Sequence, residues 1–265
     1  MSEPQSNKPR RSVVVTGAAA GIGRAIAERF HATGHLVGAY DVDEAGLATL
    51  AESCPGVVTG LLDVRDAEAW RARLAELTAR TGGRLDVLVN NAGILSSGPF
   101  TSIALEAQQR MVDVNIKGVL NGCYSAHPYL KATPGAFVVN LASASAIYGQ
   151  AELATYSATK FAVRGLTEAL DLEWRGDDIA VRAVWPLFVQ TAMTNDMDIA
   201  STRSLGVRLT ADDVAREVLD VVGPHRLPQP VHRAVGAQAK VLMASSAVAP
   251  AWLLRRINGR ISGGH

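Results

Sequence analysis

Tyr156 and Lys160 stand four residues apart in Ala154-Thr155-Tyr156-Ser157-Ala158-Thr159-Lys160, at the head of an apolar, helix-compatible run that reaches Trp174. On a helix, that spacing stacks a phenol and an ammonium on one face. The pair has a chemical use wherever a tyrosine must give up or take a proton near neutral pH, because an unperturbed phenol, with a pKa of about 10, is too weak an acid for the task. A cation about 6 Å away, at an effective dielectric of about 20, favours the phenolate by roughly 3 kcal/mol, or about two pKa units. The same spacing also describes an ordinary solvated helix face, so the surrounding elements decide its meaning.

Those elements start after residues 1–11, a polar stretch with Pro4, Pro9 and three basic residues that reads as a flexible tail and has no apolar core of signal-peptide length. Ser12-Val13-Val14-Val15-Thr16 predicts a strand, Gly17-Ala18-Ala19-Ala20-Gly21-Ile22-Gly23 a glycine turn, and Arg24 to Phe30 a helix. Strand, glycine turn and helix together make a phosphate cradle, where backbone N–H groups approach a pyrophosphate closely. The spacing Gly-x-x-x-Gly-x-Gly differs from the Gly-x-Gly-x-x-Gly fingerprint. A second strand, Leu36 to Tyr40, ends at Asp41, eighteen residues after Gly23. A carboxylate at that place receives the adenosine ribose hydroxyls of a dinucleotide and repels the extra phosphate of NADP. No Arg or Lys follows Asp41 directly or interrupts the glycine turn, so the expected cofactor is NAD.

The alternation continues. Val57 to Leu62 runs into Asp63-Val64, Ala67 to Ala79 carries Trp70, Leu74 and Leu77 at helical spacing, and Leu85 to Val89 is again strand-like. This rhythm predicts a parallel sheet with helices on both faces and ligands beyond the strand C-terminal ends. Asn90-Asn91-Ala92-Gly93 lies at one such end. A long helix is expected from about Ser102 to Leu130, with Asn115 near its middle and Pro128 kinking or ending it. The strand Ala136 to Leu141 delivers Ala142-Ser143-Ala144-Ser145-Ala146 to the same edge, and Ile179 to Trp185 ends at Pro186. Ser143 and Ser145 would share a strand face. A net charge of +1 gives no electrostatic case for nucleic acid. Six histidines and two cysteines without ligand spacing predict no metal site, and a cytoplasmic location is the simplest expectation.

Taken in order, these stretches resemble the short-chain dehydrogenase/reductase family over roughly residues 12–235. The resemblance rests on Thr16 to Gly23, Asp63-Val64, Asn90 to Gly93, Asn115, Ser143, Tyr156 to Lys160, and Pro186 with Thr191. It implies an α/β fold with a Rossmann-type, doubly wound, seven-stranded parallel sheet, in a single domain over 12–265 with a C-terminal helical extension at 236–265. It also implies hydride transfer between a nicotinamide and a carbonyl or alcohol. By resemblance, Tyr156 is the proton donor and acceptor, Ser143 orients the substrate oxygen, Lys160 lowers the tyrosine pKa and holds a ribose, and Asn115 supports a water-linked proton relay. The spacing to Tyr156 favours Ser143 over Ser145. The dinucleotide contacts implied are Gly17, Gly21, Ile22 and Gly23 at the pyrophosphate, Asp41 at the adenosine ribose, and Asp63 and Val64 around the adenine. Asn90, Ala92 and Gly93 are implied beside the ribose, with Tyr156, Lys160, Pro186, Val189 and Thr191 near the nicotinamide. The family usually has glycine after the proline, whereas here Leu187 follows Pro186, so this loop should take another path or present an apolar side chain to the site.

Residues 187–209 form a long connection of the kind that closes over an active site. Leu187, Phe188, Met193, Met197, Ile199 and Leu205 within it, with Ile94, Leu95 and Tyr148, predict a hydrophobic secondary alcohol or ketone as substrate. Alternatives are a 3-oxoacyl thioester reductase, a membrane-associated lipid, retinoid or steroid dehydrogenase, and a non-catalytic NAD-binding sensor. Between Ala234 and Leu254 only Lys240 is charged, but alanines, serines and Pro250 argue against a membrane span. This segment is expected to serve as a subunit interface or lid, with peripheral membrane association as the alternative. The family resemblance implies a homo-oligomer, tetramer or dimer.

Overall fold

The computed structural model describes residues 10–195, 199–225 and 229–261. Its centre is a sheet of seven parallel strands: β1 (Ser12–Thr16), β2 (Leu36–Asp41), β3 (Val58–Leu61), β4 (Val87–Asn90), β5 (Ala136–Leu141), β6 (Ile179–Pro186) and β7 (His232–Val235). Their order across the sheet is β3-β2-β1-β4-β5-β6-β7. All five residues of β1 are buried, because a parallel sheet covered on both faces needs apolar, β-branched side chains on each. Val13 aligns with Val37 and Val87, and Val89 with Val139, so a valine-rich belt crosses the middle strands.

Helices α1 (Gly21–Ala32) and α2 (Glu44–Ser53), with the helix Ala211–Val221, cover one face, where Ile26, Phe30, Leu50 and Val218 share a core layer. On the other face, α3 (Ala67–Thr78), α5 (Gly118–Lys131) and α6 (Ala154–Glu173) contribute Trp70, Leu74, Leu130 and Val163 to a second layer. The chain leaves β1 toward β2 but leaves β4 toward β5, so the strand order reverses between β1 and β4. A crevice opens beyond the C-terminal ends at such a reversal.

The expected single helix from Ser102 to Leu130 is three pieces. A helix α4 (Leu105–Val112) passes through a π-turn, Asp113–Lys117, into α5. The wider turn adds a residue to the local repeat, and it is here that Asn115 becomes buried. Pro128 lies within α5, which runs three residues past it.

The 187–209 connection contains two short strands, Val189–Gln190 paired with Leu209–Thr210, and the helices Ala192–Asn195 and Ala200–Leu205. Met197 lies outside the described residues. Thr210 caps the next helix, accepting from the Asp213 N–H at 3.2 Å while Asp213 accepts from the Thr210 N–H at 2.9 Å. After β7 come the helices Ala237–Val248 and Ala251–Ile261, broken at Ala249 and Pro250. No helix among the described residues is long and apolar enough to cross a membrane.

Candidate active site

The glycine turn is shaped by close approach. Gly17 and Gly21 have φ of +66° and +55°, a region that side chains resist. A Cβ on Gly23 would sit 2.0 Å from the Gly17 carbonyl oxygen, so Gly23 lets α1 close onto the turn and is not on the cavity wall, contrary to the expected ligand contact. Asn91 clamps the turn from the next strand end, its Nδ2 donating to the carbonyls of Thr16 at 2.8 Å and Gly17 at 3.2 Å. Sequence reasoning gave Asn91 no role of its own; its place in Asn-Asn-Ala-Gly was the available signal. Asp43 and Asp66 cap α2 and α3, whereas no side chain caps α1. The first N–H groups of α1 have no intrahelical acceptors, and such an N-terminus attracts anions.

Asp41, at the end of β2, is half-buried and accepts from three backbone N–H groups: Ala19 at 3.0 Å, Val42 at 2.7 Å and Asp43 at 3.1 Å. Its carboxylate therefore ties the glycine turn to β2. Beside it, the Arg65 guanidinium grips Asp63 and holds that carboxyl below the usual range.

Asn90 corrects the sequence reading. Its side chain is buried inside the sheet, donating to Asn140 Oδ1 at 2.9 Å and to Cys123 Sγ at 3.4 Å. It faces Gly122 of α5, where an added Cβ would lie 2.4 Å from Asn90 Oδ1. Strand alternation turns this amide into the core, while Asn91, Ala92 and Gly93 reach the cavity.

The candidate catalytic groups meet at the ends of β4, β5 and α6. Lys160 Nζ is buried, lies 5.4 Å from the centre of the Tyr156 ring and donates to the Leu141 carbonyl at 2.9 Å. Burial holds its pKa down to about 8. Tyr156 is pushed up to about 12 by burial, against the opposing effect of its hydrogen bond with Ser143. The acidic phenol expected from the helical spacing is thus reversed in the chain alone, because desolvation of the phenolate outweighs the Ser143 hydrogen bond that favours it. Asn115 is joined to Ile94 and, through Nδ2, to Thr159 Oγ1 at 3.2 Å. A Cβ added at Gly93 would lie 3.3 Å from Asn115 Oδ1 and 3.8 Å from Lys160 Nζ, so both polar groups converge on the glycine's open side.

Ser143 and Ser145 do not share a strand face. Ser143 caps a short 3-10 turn, Ala144–Ala146, accepting from the Ser145 N–H at 3.1 Å, and the two hydroxyls are 3.2 Å apart. Ser145 continues to Gln150 Oε1 at 3.4 Å, and Gln150 Nε2 donates to Tyr148 Oη at 3.3 Å. This buried chain was not visible in the sequence, and it takes Tyr148 into the core and off the cavity wall.

A cavity of about 600 Å³ joins these groups. Gly17, Gly21, Ile22, Asp41, Asp63 and Val64 line it together with Ser143, Tyr156, Lys160, Pro186, Val189 and Thr191. Thr191 closes over the glycine turn, its methyl 3.4 Å from where a Gly21 Cβ would stand. Ile94, Leu95, Leu187, Phe188 and Met193 make an apolar wall near Tyr156, while Ile199 and Leu205 pack against Leu153 and Phe188 beneath the connection. Leu187 avoids positive φ and presents its side chain to the cavity, the second of the two outcomes expected for a leucine after Pro186. The whole wall fits an extended dinucleotide: an uncapped helix end with glycines for a diphosphate, a carboxylate for a ribose diol, and a buried ammonium near the reacting end.

Comparison with known proteins agrees with this geometry. The short chain dehydrogenase family matches residues 11–201. A 3-oxoacyl-[acyl-carrier-protein] reductase of Thermotoga maritima is 36% identical over 69% of this chain and 76% of its own. A meso-2,3-butanediol dehydrogenase of Serratia marcescens is 37% identical over 69% and 73%. The crystal structure of a 3-ketoacyl-(acyl-carrier-protein) reductase from Brucella melitensis, complexed with NADH, superposes with a TM-score of 0.79 at 28% identity, covering 86% of this chain and 98% of that one. With the sheet order, the glycine turn and the Ser143, Tyr156 and Lys160 cluster in one cavity, the chain belongs to the short-chain dehydrogenase/reductase family of oxidoreductases.

Proposed function

We propose that this protein is an NAD-dependent dehydrogenase or ketoreductase of hydrophobic secondary alcohols and ketones, with Tyr156 as its general acid and base. The observation that carries the reading is one cavity joining a phenol, a hydroxyl and an ammonium to an uncapped helix end beside Asp41. A nicotinamide dinucleotide bound along it would supply the hydride acceptor or donor and, when oxidised, a positive charge that adds to that of Lys160. In reduction, the Tyr156 phenol donates its proton to the substrate oxygen; in oxidation, its phenolate takes the alcohol proton. Ser143 Oγ donates a hydrogen bond to the same oxygen and orients it. Lys160 and Asn115, converging at Gly93, pass the proton onward through water.

Asp41 supports NAD over NADP, since a 2′-phosphate there would meet a carboxylate already committed to three N–H groups. The apolar wall of Ile94, Leu95, Leu187, Phe188 and Met193 supports an apolar substrate. A second reading, reduction of 3-oxoacyl thioesters, draws support from what the Thermotoga and Brucella relatives act on. A homo-oligomer is supported by exposed apolar residues on α5 and α6. Leu120 and Tyr124 stand four residues apart and Phe161 and Leu172 eleven, so each pair shares a helix face. Two free, buried cysteines fit a reducing cytoplasm.

The test is a turnover screen of apolar ketones, secondary alcohols and 3-oxoacyl thioesters with NAD(H) and NADP(H), run beside Tyr156→Phe. The variant should lose turnover by at least about a thousandfold while still binding NADH; substantial retained activity would overturn the assigned role.

A further inference from the structure

The last acidic residue of the chain is Asp220. The 45 residues after it carry six of the 26 arginines and lysines and none of the 25 acidic residues. Two helices of this stretch turn unusual faces to solvent. Ala237–Val248 exposes Ala237, Lys240, Val241, Ala244 and Val248, a single face by their spacing. Solvated helix faces are normally polar, yet Lys240 is the only polar side chain here, and Val241 and Val248 are 67% and 85% exposed. The opposite side is occupied, with Ala239 and Met243 packed near Ala144 and Ala234.

The final helix, Ala251–Ile261, half-buries Leu253 and Leu254 and exposes Trp252, Arg255, Arg256 and Arg260. Trp252, Arg256 and Arg260 follow at four-residue steps, so the indole sits among guanidinium groups on one face. The side chains of Lys240 and these three arginines make no hydrogen bond or ion pair among the described residues.

We propose that this helix pair docks the protein onto an anionic lipid bilayer, lying in the interface without crossing it. A bilayer surface offers both chemistries at once: hydrocarbon for Val241 and Val248, and phosphate for the arginines, with the indole at headgroup level. A two-fold pairing of copies through this face would set arginine against arginine. A soluble acidic partner would answer the cations and leave the valine face uncovered. The final helix also packs against Ala200–Leu205 of the 187–209 connection, so docking would place that part of the connection close to the membrane. The inference stands on the C-terminal helices alone and does not require the proposed activity.

The experiment is co-sedimentation of the full-length protein with vesicles of phosphatidylcholine, or of equal parts phosphatidylcholine and phosphatidylglycerol. Wild type should sediment only with the anionic vesicles and detach in about 1 M salt, where the screening length falls to about 3 Å. Each cation near an anionic surface strengthens binding about fivefold, so Arg255→Gln/Arg256→Gln/Arg260→Gln should weaken it on the order of a hundredfold. Val241→Asn/Val248→Asn should also weaken it, with thermal unfolding unchanged in both variants. Absence of binding to anionic vesicles overturns the proposal, as does equal binding by the arginine variant. Polyglutamate bound as tightly as the vesicles, together with an indifferent valine variant, assigns the face to an acidic protein. A change of oligomeric state in the valine variant, without vesicle binding by wild type, assigns it to a second copy.

Discussion

Asn115 and Ile94 are hydrogen-bonded in both directions: the Ile94 N–H donates to Asn115 Oδ1 at 2.8 Å, and Asn115 Nδ2 donates to the Ile94 carbonyl at 2.9 Å. The amide therefore mimics a strand partner and pins the segment after β4 to the π-turn, with Gly93 held beside Lys160. Asn115→Leu leaves both backbone groups of Ile94 without partners, which should cost about 2–4 kcal/mol in urea unfolding. Under conditions where the variant is folded, turnover should fall on the order of a hundredfold, because a small displacement of reacting groups is enough for that. Stability lost with turnover intact would make Asn115 purely structural.

Lys160 gives the folded protein a pH signature. Its pKa drops from 10.5 in the ordinary state to about 8 when buried, so between those values the unfolded chain binds more protons than the folded one. The burial penalty is complete below about pH 8 and is relieved as pH rises toward 10.5. Stability should therefore climb across that window by about 3 kcal/mol from this group. In Lys160→Met the climb should be absent, so the difference between the wild-type and variant stability curves should change by about 3 kcal/mol across that window. Parallel curves for wild type and variant would mean the ammonium is better solvated than its burial implies.

Asp41 is testable through cofactor preference. Asp41→Asn keeps an acceptor for the Val42 and Asp43 N–H groups, gives up the one for the Ala19 N–H, and removes the charge that a 2′-phosphate would face. The ratio of kcat/KM for NAD over NADP should drop at least about tenfold, measured at a temperature where the variant is folded. An unchanged ratio would place the reading of the ribose on another residue.

Glu152 holds the substrate connection. It has a φ of +63°, its carbonyl accepts from the Gly98 N–H at 2.8 Å, and its Oε2 accepts from the Ala200 N–H at the start of Ala200–Leu205. Glu152→Gly relieves roughly 1 kcal/mol of backbone strain and removes the latch. KM for the apolar substrate should rise several-fold while the Kd for NADH stays constant. Glu152→Gln retains an acceptor and should restore KM; if glycine leaves KM unchanged, Glu152 does not fasten the connection.

Much of the molecule was written locally. Ser12 to Thr16 alternates into both core layers, the glycine turn needs positive φ at Gly17 and Gly21, and Tyr156 and Lys160 share a face because four residues complete a helical turn. Such features depend on neighbours a few positions away, so residue type and spacing suffice to read them. Folding decided what those groups touch. Lys160 reaches Leu141 across 19 residues, Asn90 reaches Asn140 across 50, and Asn91 reaches back 75 to the Thr16 carbonyl. Asn90 turned inward, the Ser143 to Gln150 chain formed, and the phenol lost acidity for one reason. Desolvation and hydrogen-bond partners exist only once strands distant in sequence lie side by side, and no spacing along the chain encodes them.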